Sequence, residues 1–236
     1  MARIANPSEI VDILNSQLIA SGWHNIMRSY TNTVDYENLY KHLLNEVEEA
    51  NRFTPPIRYL MEPFTHCPYS DLKVVFIADS PYDVINVANG LAFSHPVSLN
   101  KEIELKVLHN KIVNEVYNNK KSVSSFTSDL RVWAEQGILL LNSSFTTEIN
   151  KKCNHYDLWK PFISHMLDML NSDVDDIVYV LFGTNAQYFN ELIDTDKNLL
   201  LQLDNPKDHN YKWDSKDMFT KINKYLEGVD KEKIVW

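Results

Sequence analysis

Four short segments of this 236-residue chain hold side chains that can do chemistry. In the first, residues 78–83, two carboxylates, Asp79 and Asp83, bracket Ser80, Pro81 and Tyr82. A carboxylate can orient water or take up a proton; a neutral hydroxyl does this far less well. The second segment starts at Asn142, whose amide both donates and accepts. The third starts at Gly183-Thr184, a small residue followed by a hydroxyl. The fourth carries Asn205, Lys207 and His209 and runs on through Tyr211, Lys212 and Trp213. Aromatic and basic side chains alternate there, as a surface that stacks bases and meets phosphates requires. Taken singly, each residue has a plain structural reading. Asn142 would close a strand, Tyr82 would be a loop aromatic, and Phe93 would sit in a core. Ser98 would cap a helix, and Asp79 and Asp83 would be solvated loop carboxylates.

Each of the four segments follows an apolar run. Residues 72–78, 137–142, 176–183 and 199–204 are short and apolar almost throughout, the pattern of strands buried on both faces. Helical spacing marks residues 7–20, 35–52, 101–119, 128–136, 156–171 and 214–227. Ser8 and Ser128 stand where helix caps belong. Residues 53–64 hold three prolines and predict an extended loop with a short helical turn. Alternating strands and helices predict a three-layer α/β/α fold with a central, mostly parallel four-stranded sheet. Ligands of such sheets bind at the carboxyl ends of the strands, so the four polar segments should converge on one site. No repeat or linker interrupts the chain, so one domain over 1–236 is expected.

Bulk composition narrows the classes. No apolar run approaches the length of a membrane span, and residues 1–14 lack the pattern of a secretory signal, which predicts a soluble, cytoplasmic chain. Two cysteines, Cys67 and Cys153, are too few for a disulfide framework and read as reduced thiols. No CxxC or Cys/His cluster suggests a metal, and no cofactor is expected. The net charge of −9 weighs against tight non-specific DNA binding but leaves room for a local basic face. Abundant Asn and Lys with only 5 Gly suggest an AT-rich source genome, phage or viral.

The same segments carry a family resemblance. ADSPYD (78–83) after its strand resembles the GQDPYH loop of family 1 uracil-DNA glycosylases, and NGLAFS (89–94) resembles their base-stacking segment. GILLLNSSFTT is similar to GVLLLNTVLTV, VLFGTNAQ to LLWGAHAQ, PVSL (96–99) to PPSL, and the terminal KIVW to an IDW ending. Residues 53–75 resemble the proline loop and lead-in helix, and Asn154-His155 with Trp159 fits a further helix start. The resemblance spans residues 20–236 and implies the uracil-DNA glycosylase fold.

It also implies roles. Tyr82 would crowd C5 of a flipped base, Phe93 would stack on it, and Asn142 would read its edge. Ser98, Gly183, Thr184 and Lys207 would meet the DNA backbone, and His209, Tyr211 or Trp213 would wedge into the stack. Two positions depart from the family pattern. Ser80 stands where the water-activating Asp is expected, a change that typically costs about 10²–10⁴ in rate. Asn205 stands where a His stabilises the departing base, typically about 10²–10³. Mismatch-specific relatives have Asn at both places, and another branch carries its acid one position earlier, which is Asp79 here. Three classes follow. In the first, the chain would read uracil or a related pyrimidine in DNA, single-stranded DNA included, with excision lost or strongly weakened. Alternatively it is a noncanonical glycosylase using Asp79, with Asn205 donating to the leaving base. The third class is a non-catalytic scaffold for a viral replication partner.

Overall fold

The computed structural model describes residues 16, 18–48, 52–96, 103–208 and 213–236. Its centre is a parallel sheet of four strands in the spatial order Ile138–Asn142, Val74–Ala78, Val178–Phe182, Leu199–Leu203. After a two-residue β1 (Phe53–Thr54) come β2 (Val74–Ala78), β3 (Ile138–Asn142), β4 (Thr147–Glu148), β5 (Val178–Phe182) and β6 (Leu199–Leu203). β1 and β4 pair antiparallel outside the main sheet; nothing in the sequence reading anticipated that pair, since two residues carry no period.

β2, β3 and β5 are buried on both faces, and strand alternation divides their side chains between two cores; β6, expected to be buried likewise, is an edge strand that is partly buried and exposes Gln202. Val75, Ile77, Leu139, Leu141, Tyr179 and Leu181 belong to one core. Val74, Phe76, Leu140, Val178, Val180 and Phe182 belong to the other. The first core is closed by α1 (His24–Arg28), α2 (Val34–Glu48), α3 (Glu62–His66) and α6 (Tyr156–Asp173), whose side chains Ile26, Leu39, Leu43, Phe64 and Phe162 pack into it. The second is closed by α4 (Ile103–Glu115), α5 (Arg131–Ala134) and α8 (Met218–Gly228), through Leu105, Leu108, Trp133, Phe219 and Ile222. A four-residue α7 (Thr184–Gln187) follows β5. The α/β/α expectation is met.

Some local expectations are corrected. Ser128 does not cap a helix: α5 starts at Arg131 with no side-chain cap, and Ser128 is buried with its carbonyl accepting from His95 N at 3.0 Å. The helix expected over 101–119 ends at Glu115, where Asn118 and Asn119 take positive φ. Residues 7–15, with Ser8, lie outside the described residues. No helix among the described residues is long and apolar enough to cross a membrane.

Candidate functional site

Parallel register brings the polar segments together. Ala78 sits opposite Asn142, so β2 and β3 end side by side. Phe182 sits opposite Leu203, so β5 and β6 do likewise. The strand ends and the 89–94 segment line one narrow cleft, with Asp79, Ser80, Tyr82, Phe93, Asn142 and Asn205 among its walls. Its empty space, open side included, is ≈ 540 Å³. Such a slot suits a flat ring better than a bulky ligand.

Asn142 is 4% exposed, and its Oδ1 has no hydrogen-bond partner. Just past the end of β3, Ser143 still holds to β2: its N donates to Ala78 O at 2.7 Å and its Oγ to Asp79 O. A buried acceptor without a donor is costly, and Asn142 lines the cleft.

Phe93 is held by backbone rather than by a helix or strand. Its neighbour Ala92 donates N–H to Leu140 O at 3.1 Å, which fastens the segment along β3. Tyr82 donates its hydroxyl to Phe93 O at 2.9 Å. Phe93 has φ +64°, an uncommon conformation for a bulky residue, and its ring meets Phe182 edge-on at 5.0 Å. Gly90 makes the bend before it: a β-carbon there would overlap the Tyr59 carbonyl.

Asp79 does not point into free solvent. Its Oδ1 accepts from Asn185 N at 3.2 Å and its Oδ2 from Asn205 Nδ2 at 2.9 Å. The carboxylate lies against Gly183, whose φ is +86° and where a β-carbon would overlap both oxygens. Burial raises the Asp79 pKa above its ordinary value; Asn205, Lys152 and the Asn185 N–H oppose this, and Asp208 adds to it. Asn205 is itself fixed: its Oδ1 accepts from Lys207 N at 3.0 Å, an Asx-type turn. One amide hydrogen of Asn205 is thus committed to Asp79 rather than to a ligand. Ser80 donates its hydroxyl to Pro81 O at 3.3 Å. The Cys153 thiol lies beside Ser80 and has its pKa raised mainly by burial; Cys67 is also free and buried.

The remaining candidates are placed less tightly. Gly183 donates its N–H to Leu203 O at 2.9 Å, and Thr184 is exposed at the start of α7. Lys207 lines the cleft and pairs with Glu104 at 3.6 Å. Asp83 lines it too. Ser98, His209, Tyr211 and Lys212 lie outside the described residues. Trp213 is not a wedge: it is fully buried, donates Nε1–H to Asp204 O at 2.8 Å and leans on Phe182. The sequence reading missed Lys152, Glu104 and Asn185. They come from irregular or helical segments whose placement depends on the finished fold, so no local spacing points to them.

A polar cleft at the carboxyl ends of a parallel sheet, lined by a phenylalanine and an amide, stands where α/β/α proteins bind their ligands. A sequence model of the Uracil DNA glycosylase superfamily matches residues 64–227. The uracil-DNA glycosylase of Borrelia duttonii is 31% identical over 221 residues, 92% of this chain and 97% of that protein. That of Campylobacter jejuni subsp. doylei is 29% identical over 230 residues, 97% of this chain and 98% of that one. Among solved structures, mimivirus uracil-DNA glycosylase superposes with a TM-score of 0.84 at 23% identity, over 94% of this chain and 88% of that one. UNG from Nitratifractor salsuginis gives 0.64 at 16% identity, over 91% and 94%. The chain belongs to the uracil-DNA glycosylase superfamily.

Proposed function

We propose that this chain reads uracil or a related pyrimidine in DNA, with excision lost or strongly weakened. The observation that carries this reading is the unpartnered Oδ1 of Asn142 in a cleft shared with Phe93. A lone buried acceptor selects an edge that presents a ring N–H. Uracil has one at N3, whereas cytosine offers a lone pair there and would leave the oxygen unsatisfied, at about 1–3 kcal/mol. Phe93 supplies the stacking face, worth about 1–3 kcal/mol. Tyr82, tied to the Phe93 carbonyl, would limit bulk at C5. A base must leave the helical stack to reach such a cleft, so single-stranded DNA is the easier substrate.

Weak excision follows from the groups around the glycosidic bond. Ser80 offers no charge, and its hydroxyl is turned to Pro81 O. Asn205 has one side of its amide bound to Lys207 N and the other to Asp79. The second reading, a noncanonical glycosylase with Asp79 positioning water, is favoured by one observation: the Asp79 carboxylate lines the cleft and is desolvated. A carboxylate has about four acceptor sites, so its two bonds leave room for a water.

Release of free base from single-stranded uracil DNA separates the two, run with Asp79→Asn and Asn142→Ala. The expected result is uracil-dependent binding with little or no release. Release at rates matching the Campylobacter relative, abolished by Asp79→Asn, would favour the glycosylase. Binding indifferent to the base would leave neither.

A further inference from the structure

Away from the cleft, side chains from two segments distant in sequence meet where α2 passes the start of α6. His42 and Glu46 stand one turn apart on α2, so they share a face. His155 sits immediately before α6. His42 Nε2 lies 3.8 Å from Glu46 Oε1, and the His42 and His155 rings are 5.3 Å apart at 85°. One ligand atom from each of the three lies within 4.8 Å of the others. None of the three lines the base cleft. From these observations we propose that His42, Glu46 and His155 form a binding site for a zinc-class divalent ion, which ties α2 to the segment leading into α6.

The donor set is the first reason. Two imidazoles and one carboxylate suit zinc and its late first-row neighbours, not magnesium or calcium, which prefer oxygen. An outer partner is already in place. His155 Nδ1 is hydrogen-bonded to Thr146 Oγ1 at 2.9 Å, and Thr146 Oγ1 also accepts from Trp159 Nε1 at 2.7 Å. His155 Nδ1 is thereby engaged by Thr146, and Nε2 is the ring atom left for a metal.

Geometry needs a modest closure. A tetrahedral ion with bonds of 2.0–2.1 Å holds its ligands roughly 3.3 Å apart. Glu46 and His155 are both buried, while the His42 side chain is 45% exposed and can swing onto them. Without an ion, His42 and Glu46 stand 3.8 Å apart at i,i+4 spacing, a contact worth a few tenths of a kcal/mol. Binding would matter to the cleft indirectly. The loop between β4 and α6 carries Lys152, which lines the cleft, so an ion at His155 would stiffen the loop's far end.

The test uses the full chain without a polyhistidine tag, stripped with a chelator. Zn²⁺ is titrated calorimetrically and the thermal midpoint is followed, with Mg²⁺ as control. One Zn²⁺ per chain and a raised midpoint are expected, and no response to Mg²⁺. His42→Ala, a change at a half-exposed side chain, should weaken binding by more than about 100-fold, and Glu46→Gln likewise. Thr146→Val should weaken it by about 10–100-fold, the usual effect of losing an outer partner. Co²⁺ should give the visible absorption of a tetrahedral site in wild type and not in His42→Ala. Absence of Zn²⁺ binding by the wild-type chain overturns the proposal. So does binding that persists undiminished in both His42→Ala and Glu46→Gln.

Discussion

Asn142 pays for a buried amide oxygen that the fold leaves without a donor. If that oxygen exists for a ligand, removing it should help the empty protein and harm the loaded one. Asn142→Leu, close in volume, is expected to raise stability by about 1 kcal/mol, or about 2–4 °C in thermal midpoint for a chain of this size. The same variant should lose uracil-dependent DNA binding. A lowered midpoint would mean that the amide serves the fold instead. Asp79 gives a second test at this scale. Its folded pKa is raised above the ordinary 3.8, chiefly by burial. Below the ordinary value both states hold the proton and no penalty arises. As pH climbs through the window up to the folded value, the unfolded chain releases its proton first, so stability falls. Asp79→Asn is therefore expected to raise the thermal midpoint at neutral pH, with the gap to wild type closing on the acid side of the carboxylate range. A gap that is constant with pH would contradict the burial account.

At the scale of elements, the 89–94 segment shows how an irregular stretch is held as firmly as a strand. Ser94 is fully buried and its Oγ accepts from Asn89 Nδ2 at 2.9 Å and from Leu130 N at 3.0 Å. Ser94→Ala would strand both donors, and unfolding titrations should show a loss of about 2 kcal/mol. A loss below about 0.5 kcal/mol would mean that water replaces the hydroxyl. This segment also marks the limit of what the sequence made legible. The apolar runs of β2, β3, β5 and β6 are each long enough to announce a buried strand, and their polar ends did converge. Tyr82, Phe93, Asn142 and Asn205 follow those runs closely enough for the resemblance to place them. The Asp79–Asn205 bond was not legible, because it joins two loops through a carboxylate docked on Gly183, a contact that exists only after the sheet has formed. Trp213 was misread for a related reason. Its polar neighbours suggest an exposed loop, while its own ring is drawn into the core beside Phe182.

For the whole molecule, the acidic balance sets how DNA can be held. With a net charge of −9, general attraction to the duplex is weak. Lys152 and Lys207 are the described cations lining the cleft, and Lys207 is already paired with Glu104. Affinity for single-stranded DNA should therefore depend shallowly on salt, with a log–log slope of about −1.4 if both lysines meet phosphates. A slope several times steeper would reveal a basic surface elsewhere. Specificity then has to come from the cleft rather than from charge. The most direct measurement is a competition titration between two single strands that differ only in one base, uracil against cytosine, for wild type and Asn142→Ala. The expected outcome is a uracil preference of at least about tenfold, equivalent to about 1.4 kcal/mol, that vanishes in the variant. Equal affinities in the wild-type chain, or a preference that survives without the amide, would contradict the base-reading account.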